Sequence, residues 1–131
     1  MKKEGILNQD LLTVIGSLGH TDRIVVCDVG LPIDKNVERI DLSVTKGIVK
    51  FMDVLKPLLR ELVVEKIILA REIVTKSPLM HQEIVALTKG IPLELVSHEE
   101  FKKLTRDTKA IIRTGECTPY TNIILQSGVN F

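Results

Sequence analysis

Apolar positions along the chain alternate between a helical and a strand-like period. Leu11, Leu12, Val14, Ile15 and Leu18 fall at i, i+1, i+3, i+4 and i+7, one stripe of a helix. Asn8 is placed to cap that helix, Asp10 favours its first turn, and Gly19 suits the position after it. Ile24-Val25-Val26-Cys27 is then an unbroken apolar run closed by Asp28, the pattern of a strand buried on both faces. Ile40, Leu42 and Val44 alternate with Asp41 and Ser43, which predicts a short half-exposed strand. Helical spacing returns at Ile48, Phe51, Met52, Leu55, Leu58, Leu59 and Leu62, with Pro57 inside the stripe, where it is expected to kink or locally break the helix. Val63 to Ala70 reads as a second buried strand.

Ser77-Pro78 predicts a helix start, with Ser77 as cap, running to about Lys89 and stopping at Gly90. Leu93 to Val96 is a short strand. Ser97-His98-Glu99-Glu100 has the spacing of a capping box, so His98 falls in the first helical turn, with Lys102 on the same helix face. Ala110 to Arg113 is a further strand, Gly115 to Pro119 a loop, and Thr121 to Leu125 a last strand. Alternation of this kind predicts an α/β domain, a three-layer sandwich with a largely parallel central sheet, spanning residues 1–131.

Charge narrows the function classes. The chain has 18 basic against 17 acidic residues and no basic block, so it lacks the footprint of a nucleic-acid binder. With three Phe, one Tyr and no Trp, base-stacking platforms are not expected, and Tyr120 becomes a residue of interest. Cys27 and Cys117 form no C-x-x-C pair, which argues against metal or redox use. No stretch approaches the ~20 apolar residues of a membrane span, and Glu4 and Asp10 interrupt the start. A cytoplasmic, reducing location is the expectation, with no membrane partner.

Candidate chemistry centres on Gly19 to Ile33. An acid at the end of a buried strand is unusual, and ligands in open α/β sheets bind at the carboxyl ends of strands. A buried acid must be paired or hydrogen-bonded, so Asp28 is either a turn-forming residue or a ligand carboxylate. His20, in the turn before the strand, is either a surface residue or a proton-exchange group. His98 has the same two readings, improved by its place at a strand end. Lys102 ranks below these, and His81, within a helix, is read as merely exposed or packed. Glu116-Cys117-Thr118-Pro119-Tyr120-Thr121-Asn122 is dense in hydrogen-bonding groups and favours a polar ligand over a plain connection. Dinucleotide, P-loop, zinc-protease and serine-hydrolase signatures are missing, and the three histidines lack metal-ligand spacing. A small hydrolase is disfavoured, because Cys27 lies within a strand and Cys117 has no evident base beside it.

Three motifs together, Gly19-His20-Thr21-Asp22, Cys27-Asp28-Val29-Gly30-Leu31-Pro32-Ile33 and Thr118-Pro119-Tyr120-Thr121-Asn122-Ile123-Ile124-Leu125, resemble the ribose pyranase and fucose mutarotase family. The resemblance runs from Leu11 to Gly128. Fucose-acting members typically carry Ala-His-Phe-Pro after the strand acid and lack the Thr-Pro before the tyrosine, so the chain follows the ribose-acting pattern. The resemblance implies a ribose pyranase-like α/β sandwich assembled as a decamer of stacked pentameric rings, with no metal or organic cofactor. It implies interconversion of the β-pyranose and β-furanose forms of D-ribose, serving ribose import and the kinase that follows. Carried over by motif, it implies His20 as the proton-transfer residue and Asp28, His98, Tyr120, Thr121 and Asn122 as sugar-binding.

That chemistry suits the residues present. Opening a hemiacetal removes a proton from the anomeric hydroxyl and delivers one to the ring oxygen; closing on another hydroxyl reverses this. General acid–base help is worth roughly 10²–10⁴-fold and requires no electron sink. A non-catalytic ribose-binding accessory of ribose uptake is the alternative, since it explains Asp28, His98 and Asn122 but not a proton-exchanging His20. Fully extended, His20 to Asp28 spans up to roughly 26 Å. The two are therefore expected to meet at a subunit interface, the C-terminal loop of one chain facing the His20 region of another, unless the turn folds back.

Overall fold

The computed structural model describes residues 1–131. Its strands are β1 (Arg23–Cys27), β2 (Glu38–Asp41), β3 (Val64–Ala70), β4 (Leu93–Val96), β5 (Ala110–Arg113) and β6 (Ile123–Ser127). Its helices are α1 (Gln9–Gly16), α2 (Phe51–Glu61), α3 (Glu72–Lys76), α4 (Pro78–Leu87) and α5 (His98–Leu104). One six-stranded sheet has the order β2-β5-β1-β6-β3-β4. β1, β5 and β2 pair in parallel, as do β3 and β4, while β6 runs antiparallel between β1 and β3. The expected largely parallel sandwich is therefore what forms. The direction of β6 has a consequence for the site: the chain enters β6 from the edge at which the parallel strands leave the sheet.

Side chains alternate across the pleat, so each face needs its own cover. On one face Ile24, Val26, Ile67, Leu69 and Ile112 pack with Val14 of α1, Leu55 of α2 and Ile84 of α4. On the other, Val25, Cys27, Ile68, Ile111 and Ile124 pack with Leu31, Val37 and Phe101 of α5. Leu55 is fully buried. Leu55→Ala is expected to cost about 2–5 kcal/mol, because both the transfer free energy and a cavity are at stake. A urea midpoint unchanged from wild type would contradict that placement.

Helix ends follow local chemistry, with exceptions. Asn8 caps α1 by accepting from the Leu11 N–H at 2.9 Å, as expected. The helix nevertheless ends at Gly16, and Gly19 is part of a separate turn in which its N–H donates to Asp22 Oδ2 at 2.8 Å. Pro57 does not break α2, which is continuous from Phe51 to Glu61. The missing N–H removes one bond only, while Phe51, Val54, Leu55 and Leu58 anchor the helix to the sheet. Ile48 lies outside that helix, half-way along a tight segment held by Gly115. The Gly115 N–H donates to the Val49 carbonyl and the Gly47 N–H to the Gly115 carbonyl, both at 2.7 Å. A Cβ on Gly115 would run into the Ile48 carbonyl group, which explains the glycine. The Ser77 hydroxyl makes no cap bond; it donates instead to the Pro119 carbonyl at 2.7 Å, because α3, which periodicity does not announce, already occupies the chain up to Lys76. α4 stops at Leu87, two residues short of the expected Lys89, and Gly90 follows with φ +90°.

Candidate functional site

β1 carries its four apolar residues into the centre of the sheet, and Asp28 emerges where the strand ends. Asn122, just before β6, meets it there because β6 enters from the same edge. The pair is reciprocal: the Asp28 N–H donates to Asn122 Oδ1 at 2.9 Å, and Asn122 Nδ2 donates to Asp28 Oδ2 at 3.2 Å. The Gly30 N–H donates to Asp28 Oδ1 at 2.9 Å. Burial pushes the Asp28 carboxyl above its usual range, against the opposing pull of the Gly30 and Asn122 hydrogen bonds and the nearby His98. Asn122 is buried and has its amide orientation fixed by these contacts.

His98 opens α5, directly after β4, at the same edge. Ser97 caps the helix by accepting from the Glu100 N–H at 3.1 Å. The His98 N–H donates to both carboxylate oxygens of Glu72, at 3.0 and 3.1 Å. The imidazole stands edge-on to the Tyr120 ring, with centroids 5.0 Å apart and planes at 88°. Two buried polar atoms in this neighbourhood, His98 Nδ1 and Thr121 Oγ1, have no hydrogen-bond partner in the protein. Most buried polar atoms are paired, so two unpaired ones at the same end of the sheet set this neighbourhood apart from the rest of the core. Tyr120 has φ 60°, a left-handed backbone worth about 1–3 kcal/mol of strain for a non-glycine residue. The Ser77 bond to Pro119 and the Thr118 Oγ1 bond to Glu116 Oε1 at 2.7 Å hold the loop in that state.

Asp28, His98, Tyr120, Thr121 and Asn122 are thus brought to one edge of the sheet. His20 is not. It lies before β1, at the opposite edge, in a turn closed by the Thr21 N–H bond to the Ser127 carbonyl at 2.9 Å. Thr21, at φ 70°, is the other left-handed non-glycine residue. The His20 Nε2 meets Glu65 Oε2 at 2.9 Å, and the ring lines a cleft of about 320 Å³ with Glu61 and the C-terminal residues Val129 to Phe131. Five residues of β1 separate the two regions, about 16 Å at the rise of a strand.

Lys102 lies one turn after His98, its ammonium 2.6 Å from Glu99. His81 is half-buried in α4 and joins neither region. The Cys27 thiol, pushed up to about 12 mainly by burial and then by Asp28, is held protonated and inert. Sequence reasoning missed Glu65, Glu72 and Ser77. The first had a faint signal, an acid at the entry of a strand that is apolar from Ile67 on; Glu72 and Ser77 had none pointing to their partners.

Comparisons with known proteins concern the chain as a whole. A family model described as the RbsD / FucU transport protein family matches residues 1–130. A D-ribose pyranase of Geobacillus thermodenitrificans is 55% identical over 131 residues, covering 100% of this chain and 99% of the relative. A D-ribose pyranase of Kosmotoga olearia is 50% identical over 132 residues, covering 100% of both. The solved structure of Bacillus subtilis RbsD complexed with D-ribose superposes with a TM-score of 0.97 at 49% identity, covering 100% of both chains. A fucose mutarotase of Streptococcus pneumoniae, at 23% identity and a TM-score of 0.78 over 95% of both chains, shares the fold. With residues 1–130 matched by the family model and half its residues shared with full-length relatives, the chain belongs to the RbsD / FucU transport protein family.

Proposed function

We propose that this protein is an isomerase that interconverts the β-pyranose and β-furanose forms of D-ribose by opening and reclosing the hemiacetal ring. The observation that carries the reading is the cluster at the β1 and β6 edge, in a chain alike over its full length to D-ribose pyranases. There Asp28 and Asn122 are pinned together, and His98 Nδ1 and Thr121 Oγ1 lack partners. A carboxylate accepts from sugar hydroxyls, an amide does both, and the face of Tyr120 offers an apolar wall. These residues bind the sugar, and His20 moves the protons. It takes the proton of the anomeric hydroxyl as the bond from C1 to the ring oxygen breaks, and the ring oxygen gains a proton. A different hydroxyl then attacks the aldehyde, losing its proton as the carbonyl oxygen regains one. No electrons leave or enter.

His20 and Asp28 of one chain are too far apart to touch one pentose, so the working site lies between subunits. The His20 edge of one chain faces the Asp28 edge of its neighbour, within a homo-oligomer of stacked pentameric rings, a decamer. No helix is long and apolar enough to cross a membrane, and both cysteines are free, which fits a cytoplasmic place of action. The test is saturation-exchange NMR of D-ribose with and without protein, with L-fucose for comparison. Accelerated exchange between six- and five-membered ribose supports the reading; binding of ribose without acceleration would make the protein a ribose-binding accessory instead.

The raised pKa of Asp28 gives a pH signature. Below the ordinary value of 3.8 the group is protonated in folded and unfolded chains alike. Between that value and the raised folded one the fold holds a proton that the unfolded chain has lost. The resulting stabilisation is full below the unfolded value and is lost as pH rises through the folded one. The ionised acceptor for ribose is accordingly lost on acidification earlier than for an exposed aspartate. Ribose affinity is expected to fall at a pH above 3.8, and Asp28→Asn is expected to abolish that limb. A limb that persists unchanged in Asp28→Asn would assign it to another group.

A further inference from the structure

A polar chain crosses three strands behind His20. Arg23 of β1 donates from Nε to Gln126 Oε1 of β6 at 2.8 Å. Gln126 Nε2 donates to Glu65 Oε1 of β3 at 2.7 Å. The other oxygen of Glu65 meets His20 Nε2 at 2.9 Å. The Gln126 contact first, and then His20, hold the Glu65 carboxyl below its usual range, so it is ionised near neutral pH. Each link has a polarity that follows from the one before. A guanidinium only donates, so Gln126 must turn its oxygen to Arg23 and its amino group to Glu65. An ionised carboxylate only accepts, so it accepts from both Gln126 and His20. The proton of a neutral His20 ring is then on Nε2, and the lone pair is on Nδ1.

We propose that Glu65 is a positioning residue that fixes the tautomer of His20, so that Nδ1 is the atom that exchanges protons with the substrate. The inference rests on the reading of His20 as the proton-transfer residue. The register that places Glu65 there comes from the sheet, because β3 and β1 both pair with β6 and Lys66 stands opposite Gln126. Other charged groups near the ring are Glu61, which lines the same cleft, and Asp22, which is 3.8 Å from Lys109. Within the chain no hydrogen bond joins any of them to the imidazole, so Glu65 is the chain's own acceptor for the ring proton.

Glu65→Gln tests this without a gross change of shape. Gln126 still needs an acceptor at position 65 and takes the new side-chain oxygen. The new amino group then faces His20 Nε2, which must accept, and the ring proton moves to Nδ1. Nitrogen-15 NMR of the imidazole, at a pH where the ring is neutral, is expected to show Nε2–H in the wild type and Nδ1–H in Glu65→Gln. Turnover of ribose forms in the variant is expected to drop about 10- to 100-fold in kcat, with KM little changed. A wild-type ring protonated on Nδ1 would overturn the proposal, and this measurement stands even if the variant does not fold. An unchanged tautomer in the variant, or a reversed tautomer with undiminished kcat, would overturn it too. The nitrogen spectra need no ribose. A wild-type protein with the expected tautomer but no acceleration of ribose exchange would therefore defeat the proposed function, and with it the catalytic role given to Nδ1, while leaving the Glu65 contact intact.

Discussion

His20→Ala is expected to return ribose ring exchange to its spontaneous pace, a loss of about 10²–10⁴-fold, while ribose still binds. That range corresponds to about 3–5 kcal/mol of barrier. The separation of effects follows from where the residues sit. Asp28, Asn122, His98 and Tyr120 are assembled at the other edge of the sheet and keep their mutual bonds when His20 is truncated. The His20 side chain is 55% exposed and packs in no core, so its removal leaves little void. Saturation-exchange NMR reads the rate, and line broadening of the ribose signals reads binding in the same sample. Exchange at wild-type speed in His20→Ala would move the proton-transfer role to another group, and loss of binding with loss of rate would make His20 a sugar ligand.

Mixing two inactive variants is expected to restore activity. If His20 of one subunit serves the Asp28 cluster of its neighbour, His20→Ala and Asn122→Ala chains spoil different halves of each site. After joint unfolding and reassembly in equal amounts, about a quarter of the interface sites would draw both halves from intact contributors. Activity should therefore rise from near zero to about a quarter of the wild-type value. Variants mixed without subunit exchange should stay inactive. A mixture that remains inactive after verified co-assembly would place all the groups within one chain, against the strand length that separates them. The choice of Asn122 matters: it is buried and holds Asp28 by two hydrogen bonds, so its loss frees the carboxylate without touching His20.

The candidate site is partly legible in the amino-acid sequence. Asp28 stands out because an acid closing an apolar run is an exception to a pattern, and exceptions can be seen one residue at a time. His98 is legible because the Ser97 cap and the short strand before it place it by local rules. Glu65 is not, since its meaning lies in Gln126 and His20, far away along the chain. Glu72 is similar: its partner is the backbone of His98, and a backbone N–H leaves no mark in a sequence. Pro57 shows the opposite failure. A strong local rule favours a break in α2, and burial of Phe51, Val54, Leu55 and Leu58 against the sheet overrides it.

Hydrophobic period together with cap and turn residues announced six strands and the larger helices, although the strand expected from Ile40 to Val44 forms earlier, over Glu38–Asp41; burial on a pleated or helical face requires apolar side chains at that face's spacing. The order of strands, the reversed entry of β6 and the two opposite edges that hold His20 and Asp28 were settled only when the chain closed on itself. Strand neighbours are chosen by pairing between distant segments, and every apolar strand offers the same backbone donors and acceptors to any other. Polar contacts such as Arg23 to Gln126 to Glu65 to His20 have no period at all, so nothing short of the folded sheet brings them into a line.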